Sequence, residues 1–258
     1  MTVREVAMTC KLSVNVNAIA YLRNRRDLAW PSVTNLSHIA LEAGAYGITV
    51  HPRPDERHIR RSDVFELAKL LRSEFAGKEY NIEGNPDARF VEIVETVRPD
   101  QVTLVPDDVR QATSDHGWDI AAHASFLGDV IGRIKSAGIR VSVFIDPEPH
   151  LPALAAEVGA DRVEIYTGLY GAAPDARAQK HALAMVVETG RAANATGIGL
   201  NAGHDLTSDN LPALVAALPN LQEVSIGHAI TADALIHGMA GAVRLYRAAC
   251  ADPVDAGR

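Results

Sequence analysis

Short apolar runs alternate along the chain with longer stretches of helical spacing. The candidate strands are Leu12–Asn17, Gly47–His51, Tyr80–Glu83, Gln101–Val105, Arg140–Asp146, Arg162–Thr167, Ile198–Asn201 and Glu223–Gly227. Most are rich in Val and Ile and few alternate cleanly with polar residues, which is the pattern of a parallel sheet covered by helices. Helical spacing runs over Leu36–Ala43, Asp63–Phe75, Asp87–Val97, Ile120–Ala137, Leu151–Val158, Arg177–Thr196 and Thr231–Ala249, with Ser62 placed to cap the second of these. The phrases EAGAYGITV, KSAGIRVSV, AEVGADRVEI and NATGIGLNAG repeat one device: a helix ends at Gly and a strand follows within a few residues. Eight strands separated by helices predict an α/β fold, a (β/α)8 TIM barrel, over residues 1–258 as a single domain. The rival is a doubly wound open sheet. No G-x-G-x-x-G follows the first strand, which weakens its dinucleotide-binding form.

Composition narrows the class. Of 258 residues, 47% are hydrophobic and 22% charged, an ordinary globular balance. The formal net charge of −7 carries no basic stripe, so no nucleic-acid partner is expected. Two cysteines, Cys10 and Cys250, are too few for a disulfide framework or a four-cysteine zinc site. The start, MTVREVAMTCKL, has no apolar core of a signal peptide, and no stretch approaches 18 uncharged apolar residues. The expectation is a soluble cytoplasmic protein that does not engage a membrane, with ADPVDAGR as a frayed tail.

A barrel carries its chemistry at the C-terminal ends of its strands, which sorts the ten histidines. His38, His123, His181 and His237 fall in helical patterns, and His116 and His150 in loops or helix starts; these read as surface or packing residues. His51, His204 and His228 stand where a strand stops, and His58 follows closely in PRPDERHIRR. Asn15, Asn17 and Glu83 join them, with Glu164 inside the apolar run RVEIYTG. A carboxylate there costs several kcal/mol unless paired or hydrogen-bonded, so a structural ion pair is the plain alternative to a catalytic role.

Imidazoles and carboxyls around one mouth can relay protons near neutral pH. They can also ligate a metal, although N-V-N stands at the first strand in place of H-x-H. Arg23, Arg25 and Arg26 follow the first strand, and Arg53, Arg57, Arg60 and Arg61 the second. Guanidinium forks suit phosphate, while pairing with Asp27, Asp55 and Glu56 is the alternative use. Gly203 and Gly227 reach the mouth in NAGHD and SIGHAIT, each ahead of a helical segment whose backbone N–H groups would hold an anion.

The segments SVNVNAIAYLRNRR, GAYGITVHPRPDERHI, NIEG, TLVPDDVRQAT, SVFID, VEIYTG, LNAGHDL and SIGHAI together resemble the pyridoxine 5′-phosphate synthase family, in the family's order over roughly residues 12–236. The resemblance implies a (β/α)8 barrel with extra helices, a homo-octamer, and no metal or organic cofactor. The reaction it implies condenses 1-deoxy-D-xylulose 5-phosphate with 3-amino-2-oxopropyl phosphate to pyridoxine 5′-phosphate, phosphate and water.

By the same resemblance His51 and Glu83 are proton acceptors, His204 the proton donor, and Glu164 the acid that stabilises the transition state. Arg53, His58 and Thr113 fall on contacts to the sugar phosphate, and Asn15, Arg26, Gly227 and His228 on contacts to the amino ketone phosphate. Asn17 and Ala18 stand where many members have Asp and His. Asp205 stands where many have Gly; its backbone N–H remains able to serve a phosphate. The alternatives are a metal-dependent lyase or isomerase acting on a phosphorylated sugar, and a non-catalytic phosphosugar-binding protein.

Overall fold

The computed structural model describes residues 10–26, 28–108, 110–111 and 113–251. The N-terminal start, Asp27 and the tail beyond Ala251 lie outside the described residues. The elements run β1 (Lys11–Asn15), α1 (Asn17–Asn24), α2 (Val33–Glu42), β2 (Gly47–Val50), α3 (Arg61–Glu74), β3 (Glu79–Gly84), α4 (Ala88–Val97), β4 (Gln101–Leu104), α5 (Ile120–Ser136) and β5 (Arg140–Ile145). They continue α6 (Leu151–Glu157), β6 (Arg162–Tyr166), α7 (Gly168–Gly171), α8 (Ala176–Thr196), β7 (Gly199–Gly203), α9 (Leu211–Ala217), β8 (Leu221–Ile226) and α10 (His228–Ala249). The strands pair in chain order, all parallel, and β8 returns to β1. The result is a closed (β/α)8 barrel.

Local chemistry moves some boundaries from where periodicity put them. The first strand stops at Asn15, not Asn17, because the Asn15 side-chain oxygen accepts the Asn17 N–H at 3.0 Å and turns the chain into α1. Ser62 does not cap α3: Arg60 holds that place, and the Asp63 carboxylate accepts its N–H at 2.7 Å. The same carboxylate takes two bonds from the buried Arg23 guanidinium, at 2.5 and 2.9 Å, which ties α1 to α3. Gly138 and Gly197 do end their helices in the left-handed region, at φ +80° and +76°.

The strands alternate more strictly than the apolar runs suggest. One side of each strand is aliphatic and buried against the helices: Val14, Ile48, Ile82, Leu104, Val143, Ile165 and Val224 have no exposed surface. Each such side chain contributes about 1.5–3 kcal/mol by leaving water. The other side is polar and faces the lumen. Ser13 and Thr49 hydroxyls meet at 2.7 Å, Asn81 donates to Thr49 at 3.3 Å, and Thr103 donates to Asn81 at 3.2 Å. A layer of charge fills the N-terminal end, where Arg140 pairs with Glu79, Arg162 pairs with Glu223 at 3.2 Å, and Gln101 accepts from both arginines. Glu164 is therefore a member of a polar lumen, not an isolated carboxyl in an apolar one. Among the described residues no helix is long and apolar enough to cross a membrane.

Candidate active site

The C-terminal ends of the strands open into a cavity of about 860 Å3. Its wall includes Asn15, Asn17, His51, Arg53, His58, Glu83, Thr113, Glu164, His204, Asp205, Gly227 and His228, so nearly every residue singled out in the sequence meets there. Arg26 does not: it is exposed in the turn after α1, and Arg25 lines the cavity instead. The helix-start geometry also forms only once. His228 opens α10 directly after Gly227, whereas residues 204–210 separate Gly203 from α9.

Two carboxyls stand deep in this chamber. Burial pushes Glu83 well above the usual carboxylate range, with Glu164 and Asp107 adding to the rise. Asn15 donates to one Glu83 oxygen at 3.4 Å, and the Ser225 hydroxyl contacts the other at 3.5 Å. Burial raises Glu164 from an ordinary 4.5 to about 7, against the pull of His204 and a 3.4 Å contact with Thr103. Thr103 has one proton to offer, so it serves Asn81 or Glu164 at a given moment. A Cβ on Gly203 would stand 2.3 Å from Glu164 Oε1, so the absence of a side chain at Gly203 makes room for that carboxyl.

The histidines divide by environment. Burial lowers His51 well below the usual imidazole range, and the cations of Arg53, Arg89 and Arg57 act in the same direction, as would a protonated His58. His51 is thus neutral and able to take a proton. Its backbone N–H donates to Asn17 Oδ1 at 2.9 Å, so Asn17 supplies an acceptor here that needs no charge. His58 falls to about 4 through burial and Arg53. Its Nδ1 accepts the Ile59 N–H at 2.9 Å, which leaves the ring proton on Nε2 as a donor. His204 has φ +94° and Asp205 φ +54°, a left-handed pair that turns the chain across the mouth. Thr167 fastens that turn: its hydroxyl lies 2.6 Å from the carbonyl oxygens of both Gly203 and His204 and gives its one proton to either. His204 Nε2 meets the Thr113 hydroxyl at 3.1 Å.

Arg53 is buried and held by the Asp107 carboxylate and by the Gln111 carbonyl at 2.7 Å. Asp107 was not singled out in the sequence, although it follows the fourth strand in TLVPDD and obeys the same strand-end rule. Arg57 pairs with Asp55 at 2.8 Å, the alternative use of the loop arginines. Among the described residues no three His, Cys, Asp or Glu side chains are arranged to hold a metal ion.

A family model described as pyridoxal phosphate biosynthesis protein PdxJ matches residues 12–252. Pyridoxine 5′-phosphate synthase of Chelativorans sp. (strain BNC1) is 57% identical over 246 residues, covering 94% of this chain and 99% of that protein. The protein of the same name from Rhizobium meliloti (strain 1021) is 57% identical over 250 residues, covering 95% and 99%. Among solved structures, a mutant tryptophan synthase alpha-subunit from Pyrococcus furiosus superposes with a TM-score of 0.61 at 13% identity, covering 95% of this chain and 96% of that one. At that identity the likeness is one of fold.

Proposed function

From the premise that the chain belongs to the PdxJ family of pyridoxal phosphate biosynthesis proteins, we propose a mechanism in which this one chamber holds two phosphorylated substrates and moves protons between them. The chain is an enzyme of vitamin B6 biosynthesis. Its reaction joins 1-deoxy-D-xylulose 5-phosphate to 3-amino-2-oxopropyl phosphate, giving pyridoxine 5′-phosphate, phosphate and water. The observation that carries the mechanism is the shared wall: two imidazoles and two carboxyls between an arginine-bearing side and a helix start, around about 860 Å3. Cavities of roughly 300–1,000 Å3 take small ligands, so both reactants fit in one chamber.

Arg53, the Nε2–H of His58 and Thr113 form the sugar phosphate side. Asn15, the first N–H groups of α10 after Gly227, and His228 form the amino ketone phosphate side, where the helix end favours an anion. Arg26 joins that side if the turn after α1 folds inward. Ring formation needs an imine, loss of phosphate, loss of water and a carbon–carbon closure, each with a proton shift at a different atom. His51, held neutral by burial and the neighbouring guanidinium groups, takes a proton at one end. Glu83, a stronger base than an ordinary carboxylate once ionised, takes one deeper in the lumen. His204 at the rim returns a proton to a leaving oxygen, and Glu164 faces the positive charge of the iminium stage. Holding both reactants at contact distance supplies much of the rate.

The direct test mixes both substrates with the protein and follows pyridoxine 5′-phosphate by its absorbance. Turnover is expected, and binding of the sugar phosphate without product would reverse the reading in favour of a non-catalytic protein. A second result tests the lumen. Gly203→Ala places its methyl against a carboxyl that can swing away, so the barrel folds while Glu164 is displaced. We expect kcat to fall roughly 100-fold, the cost of about 1 Å of misplacement, with an unchanged melting temperature. The proposal extends to a cytoplasmic homo-octamer. Exposed Trp30, Leu235 and Ile236, at 68%, 79% and 77%, support self-association, and light scattering checks it.

A further inference from the structure

Asp107 is the one buried acid at the cavity's edge that the mechanism above leaves without a task. Its side chain is 4% exposed. One oxygen, Oδ2, is shared: Arg53 pairs with it, the Ser114 hydroxyl donates to it at 2.7 Å, and His51 Nδ1 lies 3.9 Å away. The other oxygen, Oδ1, is buried and has no hydrogen-bond partner among the described residues. A buried carboxylate oxygen without a partner is costly, so an arrangement that gives it a donor would be favoured.

Arg53 bonds to Asp107 and to the carbonyls of Gln111 at 2.7 Å and Asp108 at 3.5 Å. A phosphate that takes Arg53 as a bidentate fork competes with these partners. Asp107 is the partner with somewhere to go, because an imidazole nitrogen stands just beyond bonding distance.

We propose that Asp107 is a positioning residue that exchanges Arg53 for His51 when the sugar phosphate binds, so that the arriving phosphate readies the base. A bond from His51 Nδ1–H to Asp107 fixes the tautomer that leaves Nε2 free to accept a proton. It also makes the ring more basic, since the carboxylate stabilises the imidazolium. Burial and the cations of Arg53, Arg89 and Arg57 hold His51 down in this arrangement. The titratable and charged groups around Asp107 are Arg53, His51, Glu83, Arg57, Asp115 and His116, and the last two are exposed at the loop surface. The exchange rests on the reading that Arg53 binds phosphate and His51 takes the proton.

Two measurements on the full chain test it. In the first, the His51 ring is titrated by NMR with and without 1-deoxy-D-xylulose 5-phosphate, the amino ketone being left out so that nothing turns over; His51→Gln assigns the signal. The His51 pKa is expected to rise on binding in the wild type and to rise less in Asp107→Asn. A His51 titration that the sugar phosphate leaves unmoved, or moves equally in both proteins, overturns the exchange.

In the second, Asp107→Asn is expected to lower kcat roughly 10- to 100-fold, the usual cost of losing the partner that orients a functional side chain. Its KM for the sugar phosphate is expected to fall about fivefold or more, because Arg53 no longer has a competitor. Asp107→Glu restores part of kcat. A merely structural aspartate gives the opposite, a raised KM, and that result sinks the proposal. Inorganic phosphate serves as a separate probe: Asp107→Asn binds it more tightly than the wild type whether or not the chain turns over. Failure of the functional reading shows instead as a wild type that neither binds the sugar phosphate nor forms product.

Discussion

Glu83→Gln is expected to leave a folded barrel that turns over roughly 100- to 10,000-fold more slowly, the span usually lost with a positioned general base. The substitution suits the site. Glu83 is half-buried deep in the lumen, and desolvation together with Glu164 and Asp107 drives its carboxyl toward the neutral form. The site thus already accommodates an uncharged group there. An amide oxygen keeps the 3.4 Å contact from Asn15 or the 3.5 Å contact from Ser225. Removing the ability to ionise therefore costs little stability and nearly all of the proton transfer. Steady-state formation of pyridoxine 5′-phosphate, read beside a thermal melt, separates the two effects. Normal turnover in this variant would remove Glu83 from the mechanism. A collapsed melting temperature would show that its carboxyl holds the lumen together instead.

The barrel was legible because its signals are local. A helix ending at Gly138 or Gly197 and a strand beginning beside it are read within ten residues, and both glycines take the left-handed turn the pattern requires. The strand-end rule picked out His51, Glu83 and His204, which line one cavity because strands of a barrel end on one face, and Glu164 reaches the same cavity from within its strand. What escaped was of two kinds. The strands read as apolar runs with little alternation because the outward Val and Ile dominate them, although Ser13, Thr49, Asn81 and Thr103 alternate with those residues and face the lumen. A period of two was present and was masked by the stronger residues.

The other kind depends on distant pairing. Arg53 and Asp107 are 54 residues apart, and Arg23 and Asp63 are 40 apart. No spacing rule joins such partners, so which arginine faces the substrate and which is tied to an acid is decided only in three dimensions. Arg25, not Arg26, in the cavity wall is the same effect on a smaller scale: the end of α1 sets the rotation, and one residue reverses the face.

Glu164→Gln is expected to make the protein more stable above neutral pH while abolishing most of its turnover. Burial raises Glu164 from 4.5 to about 7. A carboxyl whose folded-state pKa is raised favours the native state while it is protonated. That contribution is complete below about pH 4.5 and is lost as pH rises through about 7, because the unfolded chain then ionises freely and the folded one does so against burial. The gap is worth about 3 kcal/mol at roughly 1.4 kcal/mol per pH unit. Glutamine removes the penalty and keeps an oxygen for the Thr103 hydroxyl, now 3.4 Å from the carboxylate. Denaturation in urea should therefore show the variant and the wild type equal near pH 4.5 and the variant ahead by up to about 3 kcal/mol at pH 8. Turnover moves the other way, since an amide offers no charge to the iminium stage; a fall of roughly 100-fold or more in kcat is expected for a lost electrostatic contact of this kind. Equal stability at pH 8 would mean that water or His204 already neutralises the burial of this charge. The lumen would then be tuned for binding, not for holding a carboxylate at a disadvantage that only the reacting substrate relieves.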